Sequence, residues 1–324
     1  LIRRKPLLTL FFATDIHGSD MCFRKFVAAK EAYRADHLIM GGDLTGKMVV
    51  SLVPDDGAFA VDFAGQRLRV GAGERSSIEQ QIRNAGFYPA VLDPDEVRAY
   101  QDPDRRDQLF LRCMAESLRR WSDFAMAKGI AQGSILVAPG NDDPREIDGM
   151  IDELPAFRRV EGETVELTAG EVRYHLVSCG YSNRTPWRTP RELEEEELER
   201  YLRSLFVGLD PARTVLNAHV PPWNSGLDTG PDIDPHSTPD DVRQRTSLGA
   251  PLTRPVGSVA VRRVIEDLQP LVSLHGHIHE SRGSAKIGRT LCLNPGSDYG
   301  EGVLRGALVR LGTGGLVNYQ LTAG

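Results

Sequence analysis

The chain is poor in several features that would mark particular functional classes. Its 324 residues hold 4 cysteines, Cys22, Cys113, Cys179 and Cys292, and none are spaced as a CxxC pair. This argues against a disulfide framework and a structural zinc site, and predicts reduced, buried thiols. Basic charge is not in excess: Lys and Arg number 39 against 45 Asp and Glu, for a net charge of -6. Tight nonspecific binding to nucleic acid runs on Lys and Arg contacts to phosphate, so this balance speaks against a nucleic-acid partner. Aromatics are 7% of the chain, and no basic tract is interleaved with them, which argues against a nuclease. No apolar run reaches membrane-spanning length. Arg3-Arg4-Lys5 followed by Leu7–Ala13 has the outline of a secretory signal, but its apolar run is at the short limit for one. It leads straight into Asp15-Ile16-His17 and reads better as a buried first strand of a cytoplasmic protein.

What the chain does have is an alternation of short apolar strands and helical stretches, the pattern of an α/β fold. Strands are expected at Leu7–Ala13, His37–Met40, Ser134–Ala138, Val172–Ser178, Thr214–Ala218 and Leu271–Leu274. Helical spacing marks Phe23–Tyr33 and Gly257–Leu268. Thr290–Leu293, Val303–Leu311 and Leu316–Leu321 read as antiparallel strands closing the chain. Residues 46–133 read as an insertion. It holds a small antiparallel set (Met48–Val53, Ala58–Phe63, Gln66–Val70), then Ser76–Ala85 and a long helix near Arg105–Lys128. Residues 222–255 form a Pro- and Asp-rich loop with Gly226, Gly230, Pro231, Pro235 and Pro239, and ordered loops of this length are often functional. The run Arg191–Arg203, with Glu194–Glu197, reads as an exposed charged helix face.

Ligand-type residues gather behind the strands. Asp15-Ile16-His17, Gly42-Asp43, Gly140-Asn141-Asp142, His219 and Gly276-His277-Ile278-His279 each follow an apolar run. Asp15 and His17 are two apart, and in extended backbone residues i and i+2 share a face. Taken singly, each of these segments reads as a turn, a helix cap or a loop histidine. Together they place hard oxygen and borderline nitrogen donors at the carboxyl ends of five strands, where open α/β sheets form their crevice. A two-metal hydrolytic centre needs such a donor set. No Ser/His/Asp or Cys/His arrangement offers a protein nucleophile.

The order DxH, GGD, GN-D, a lone His and GHxH resembles the calcineurin-like metallophosphoesterase superfamily. Asn294-Pro295-Gly296-Ser297 resembles the strand-end signature of its bacterial and archaeal branches. The likeness covers roughly residues 7–43, 134–143, 172–180 and 214–297. It implies a four-layer αββα sandwich, with two mixed sheets flanked by helices. It also implies two divalent ions (Mn, Fe(II), Zn or Ni, with Mn favoured). Asp15, His17 and His279 would hold one ion, Asn141, His219 and His277 the other, and Asp43 would bridge them. A water shared by the ions would attack phosphorus in line with the leaving oxygen. The substrate would be a small phosphodiester or phosphomonoester.

Two departures from the family pattern stand out. Asp142 occupies the position where many members carry a His that serves the leaving group. A carboxyl beside two cations is a poor acid, so His275 or His236 becomes an alternative donor. Gly46 stands where purple acid phosphatases place the Tyr that binds ferric iron, which argues against a ferric centre. The insertions 46–133 and 222–255 follow ligands Asp43 and His219 and read as a cap or rim over the site. The rival to an enzyme is a protein-interaction scaffold on the same fold, which would have no need of all seven ligands.

Overall fold

The computed structural model describes residues 7–238 and 241–324; Arg3-Arg4-Lys5 and Pro239 lie outside them. Two six-stranded mixed sheets form the centre. In the first, Leu8–Ala13, His37–Met40, Ile135–Val137 and Phe157–Arg159 run parallel, and Arg305–Gly312 and Gly315–Ala323 add an antiparallel hairpin beside Leu8–Ala13. In the second, Thr290–Asn294, Val272–Leu274, Thr214–Ala218 and Val172–Cys179 run parallel between antiparallel edges Gly283–Ile287 and Thr164–Ala169.

Side-chain alternation along these strands builds the layers. Leu8, Leu10 and Phe12 face the second sheet and pack with Leu176, Val215, Val272 and Leu293, while Phe11 and Ala13 face the other way. The outward face of the first sheet is covered by Asp20–Ala32, Pro103–Ala127 and Ile147–Asp152, with Trp121 stacked on Phe23 at 4.5 Å between centroids. The outward face of the second sheet is covered by Glu195–Leu205 and Val259–Leu268. With both faces of both sheets buried, the central strands read as continuous apolar runs.

Within 46–133 lies a separate four-stranded sheet, ordered Gln66–Gly71, Ala58–Phe63, Val49–Asp55, Tyr88–Val91. It has its own small core of Val50, Leu52, Val61, Val70, Ile78 and Ile82. The helix Pro103–Ala127, by contrast, belongs to the outer layer of the first large sheet. Residues 222–255 carry short pairings, Thr229–Pro231 with Thr253–Pro255 and Thr246–Ser247 with Ala250–Pro251.

Two expectations need correction. Thr290–Asn294 does not join the closing hairpin; it lies in the other sheet, parallel to Val272–Leu274, because the edge strand Gly283–Ile287 hairpins back into it. The charged run Arg191–Arg203 is not a merely solvated face. Leu198, Leu202 and Leu205 of helix Glu195–Leu205 are buried. Arg191 is also buried, and Glu195 accepts hydrogen bonds from the backbone N–H groups of Val259 and Ala260 at the start of the next helix. All four cysteines are free and buried. No helix among the described residues is long and apolar enough to cross a membrane.

Candidate metal centre

The carboxyl ends of the parallel strands meet at one edge of the sandwich, and the ligand-type residues lie on the turns just beyond them. The geometry of the first turn differs from the extended one that the spacing suggests. Asp15 and His17 have φ of 52° and 39°, in the left-handed region, as do Asp43 at 49° and His277 at 65°. Such backbone costs roughly 1 kcal/mol or more per residue and persists only where its surroundings over-determine it. Here they do. The Asp15 amide donates to the Gly42 carbonyl at 2.9 Å, and the His17 amide to the Asp43 carbonyl at 3.0 Å. The two turns thus hold each other.

Three overlapping clusters result: Asp15, His17 and His279; Asp43, His219 and His277; and His17, Asp43 and Asp142. In each, the potential ligand atoms lie within 4.8 Å of one another. Asn141 joins the second cluster through its Oδ1, 3.1 Å from His219 Nε2. The Nε2 atoms of His17 and His279 face each other at 3.1 Å. His219 Nδ1 donates to the Gly41 carbonyl at 3.1 Å, which turns Nε2 toward the carboxylates. Asp43 lies between the groups, with Oδ2 3.7 Å from His17 Nε2 and Oδ1 3.4 Å from His219 Nε2.

Glycine is required where these turns touch. A Cβ on Gly140 would lie 2.2 Å from Asp43 Oδ1, and one on Gly276 would lie 2.2 Å from Asp15 Oδ2. These contacts leave no room for a side chain.

The electrostatics describe a buried anionic pocket in need of cations. Burial pushes the Asp15 carboxyl up, but the imidazoles of His219, His279 and His17 outweigh this and hold it well below the usual range. Burial raises Asp43 to about 6 despite His219 beside it. Burial works against an imidazolium at His219, yet Asp43 and Asp15 lift it to about 10. His17 and His277 are driven down to about 3, chiefly by burial, with added repulsion from Lys47 and His279 on the first and His219 on the second. His279 is also disfavoured by burial, but its hydrogen bond to Asp15 raises it. The closest basic partners of Asp15 and Asp43 are thus imidazoles that can themselves be ligands. Divalent cations would meet this demand and leave the rings neutral. The facing nitrogens, the mixed carboxylate–imidazole–amide set and the glycine cradle are consistent with a metal site.

Residues of the sequence expectation fall on both sides of the site's edge. Asp142 is a partner of Lys47, whose Nζ lies 2.7 Å from Asp142 Oδ2. Burial raises the Asp142 carboxyl, but Lys47 overrides it and the net shift is downward. His275 is fully buried, and its Nδ1 donates to the Ala218 carbonyl at 2.8 Å. Burial lowers it to about 4, which makes it a neutral backbone brace. His236 lies exposed in the loop 222–255 and belongs to none of the clusters.

Sequence reading missed the supports. Asp143 is fully buried and accepts from the backbone N–H groups of Leu44, Thr45 and Gly140 and from the Thr45 hydroxyl, at 2.7–3.0 Å, tying the Asp43 and Asn141 turns together. Arg191 donates to the carbonyls of Asp143 and Pro144 and pairs with Asp148. The Asn294 side chain donates to the Gly276 and Ile278 carbonyls, and Ser297 Oγ to the Asp15 carbonyl at 2.6 Å, so the NPGS segment braces the HxH turn. The NPGS segment stands out in the sequence as a signature, though without its bracing role, and the adjacency of Asp143 to Asn141-Asp142 is a second signal.

No family model matches the chain. An uncharacterized protein of Methanocaldococcus jannaschii, MJ1162, is 34% identical over 163 residues, covering 50% of this chain and 63% of that protein. The chain therefore spans less than two thirds of that relative's length. One solved crystal structure superposes over 98% of each chain at a TM-score of 0.52 and 17% identity. A novel archaeal phosphodiesterase aligns over 98% of this chain and 100% of its own, with a TM-score of 0.37 and 10% identity. The superposition at a TM-score of 0.52 shows that the chain shares that structure's fold over 98% of its length.

Proposed function

We propose that the chain is a metal-dependent phosphoester hydrolase. In this reading Asp15, His17 and His279 would hold one divalent ion, Asn141, His219 and His277 would hold a second, and Asp43 would serve both. The observation that carries it is the pair of donor clusters on the strand ends, Asp15, His17 and His279 beside Asp43, His219 and His277, with Asp43 3.7 Å from His17 of the first. When bound, two such ions neutralise charge on phosphoryl oxygens and acidify water, the two demands of phosphoester hydrolysis. The chain's own residues supply the rest. His219 and Asp43 keep fixed orientations through the Gly41 carbonyl and the Asp142 amide, so the donors need no rearrangement on binding. Asp142 remains a carboxylate paired with Lys47 and does not donate a proton. That fits a substrate whose leaving oxygen departs with little need of an acid. Manganese is our first choice among the divalent ions, and Gly46 in place of a tyrosine speaks against ferric iron.

The test is hydrolysis of bis(4-nitrophenyl) phosphate and 4-nitrophenyl phosphate with Mn, Fe(II), Zn or Ni added. We expect at least one ester to be cleaved, and Asp43→Asn to lower kcat at least a hundredfold. If no ion supports cleavage of either ester, the hydrolase reading fails.

A further inference from the structure

Beyond the centre, on the far side of Lys47, lies a cavity of about 450 Å³ between the strand Val49–Asp55 and the helices Pro94–Ala99 and Pro103–Ala127. Its volume is within the range of small-molecule sites. Its wall is mainly apolar: Met48, Val49, Leu92, Val97, Leu109 and Phe110. Met48 and Val97 are 48% and 37% exposed, so the apolar wall is open to solvent at its rim. The cavity's one link to the metal centre is Lys47, which lines it and ion-pairs with Asp142 at 2.7 Å. Arg106 and Asp107 form an exposed pair at 3.6 Å elsewhere in the lining, so its charged groups sum to one positive charge. A second hollow of about 430 Å³ touches the centre at His279, but Asp298 and Glu301 are in its wall.

We infer that the cavity behind Lys47 receives the organic group of the substrate, and that this group is apolar, an aryl leaving group or the retained alkyl chain of a phosphodiester. The inference rests on the hydrolase reading for the reaction, and on the cavity alone for binding. Lys47, oriented by Asp142, would place a fixed cation beside the phosphoryl oxygens where the anionic head meets the apolar tail. With ions bound, the charge sequence of the site would be anion-seeking centre, ammonium, apolar cavity, which matches an amphiphilic monoanion or dianion from head to tail. In the other hollow Asp298 is paired with Arg305, and no lysine lines its wall.

The probes are methylphosphonate and hexylphosphonate, titrated calorimetrically into the metal-free and the Mn-loaded protein. Each methylene moved fully from water into an apolar site adds roughly fourfold in affinity. We expect hexylphosphonate to bind at least about tenfold tighter than methylphosphonate in both states. Val97→Asp and, independently, Met48→Asp at the rim should abolish that gain, while Ala85→Trp in the other hollow leaves it. Lys47→Met should weaken both probes and preserve their ratio. Equal affinities for the two probes, or a gain that is lost in Ala85→Trp and kept in Val97→Asp and Met48→Asp, would overturn the inference. The hydrolase reading is scored separately. If no nitrophenyl ester is cleaved but the chain-length gain follows Val97 and Met48, the amphiphile site stands and the reaction falls. If esters are cleaved without a chain-length gain, the reaction stands and the cavity assignment falls.

Discussion

Asp143 holds the site together without being a ligand. Four donors converge on its two oxygens, and three of them are backbone N–H groups on the turns that carry Asp43 and Asn141. Removing the carboxylate leaves these buried donors unpaired, and each unsatisfied group costs about 1–3 kcal/mol. Asp143→Ala should therefore lose roughly 3 kcal/mol or more of stability in urea unfolding and weaken divalent-ion binding, although no atom of Asp143 lies in a donor cluster. Retained stability would mean that another group takes over those bonds. At this scale, the donor residues were readable in the sequence because their types and spacings are unusual. Their backbone was not. Asp15 and His17 suggested extended alternation, but the structure puts both in the left-handed region. Tertiary amide-to-carbonyl bonds between turns override the local preference there, and nothing in the DxH triplet encodes them.

At the level of elements, the turns behind the strands do the positioning, and they work because glycine lets two of them touch. Gly276→Ala would drive a Cβ to within 2.2 Å of Asp15 Oδ2 and 2.3 Å of Thr14 Oγ1. We expect this variant to fold, because Gly276 lies at the end of its strand, but to bind Mn at least tenfold more weakly by calorimetry. Unchanged affinity would mean that the turn relaxes freely. The loop 222–255 divides in two. Its base is structural: Asn294 donates to the Leu227 carbonyl, and Ser281 to that of Thr229. Its tip is exposed. Shortening the chain between Asp234 and Leu252 should keep two ions per chain by elemental analysis, whereas loss of metal would place the tip within the site's framework. Most of the parallel strands and the longer helices were legible as apolar runs and helical spacing, but Phe157–Arg159 and Ile147–Asp152 were too short to stand out. Tyr88–Val91 and Thr164–Ala169 were also missed. The first is four residues long with a proline in it; the second alternates polar and apolar residues, which is the signal of a half-buried edge strand and was there to be read.

Across the whole molecule, two sheets bury one another and each carries part of the centre. Asp15, Asp43 and Asn141 follow strands of the first sheet, and His219, His277 and His279 follow strands of the second. The sandwich is thus itself the scaffold for the donor clusters, and groups that fasten the sheets together carry a pH signature. Glu161 accepts from the Gly180 amide and the Tyr201 hydroxyl, and burial raises it from 4.5 to about 7. The folded protein therefore holds this proton more tightly than the unfolded chain does. The stabilisation is complete below about pH 4.5 and is lost as pH rises through about 7. In the metal-free protein, the melting temperature of the wild type relative to Glu161→Gln should fall as pH goes from 5 to 7. A difference independent of pH would contradict the assignment.

The claim that organises all of this is that one edge of the sandwich holds two ions which share Asp43. Anomalous scattering at the Mn edge, from crystals grown with Mn, tests it most directly. The account predicts two peaks per chain, one among Asp15, His17 and His279 and one among Asn141, His219 and His277, with Asp43 touching both. A single peak, or peaks ligated by other residues, would contradict it.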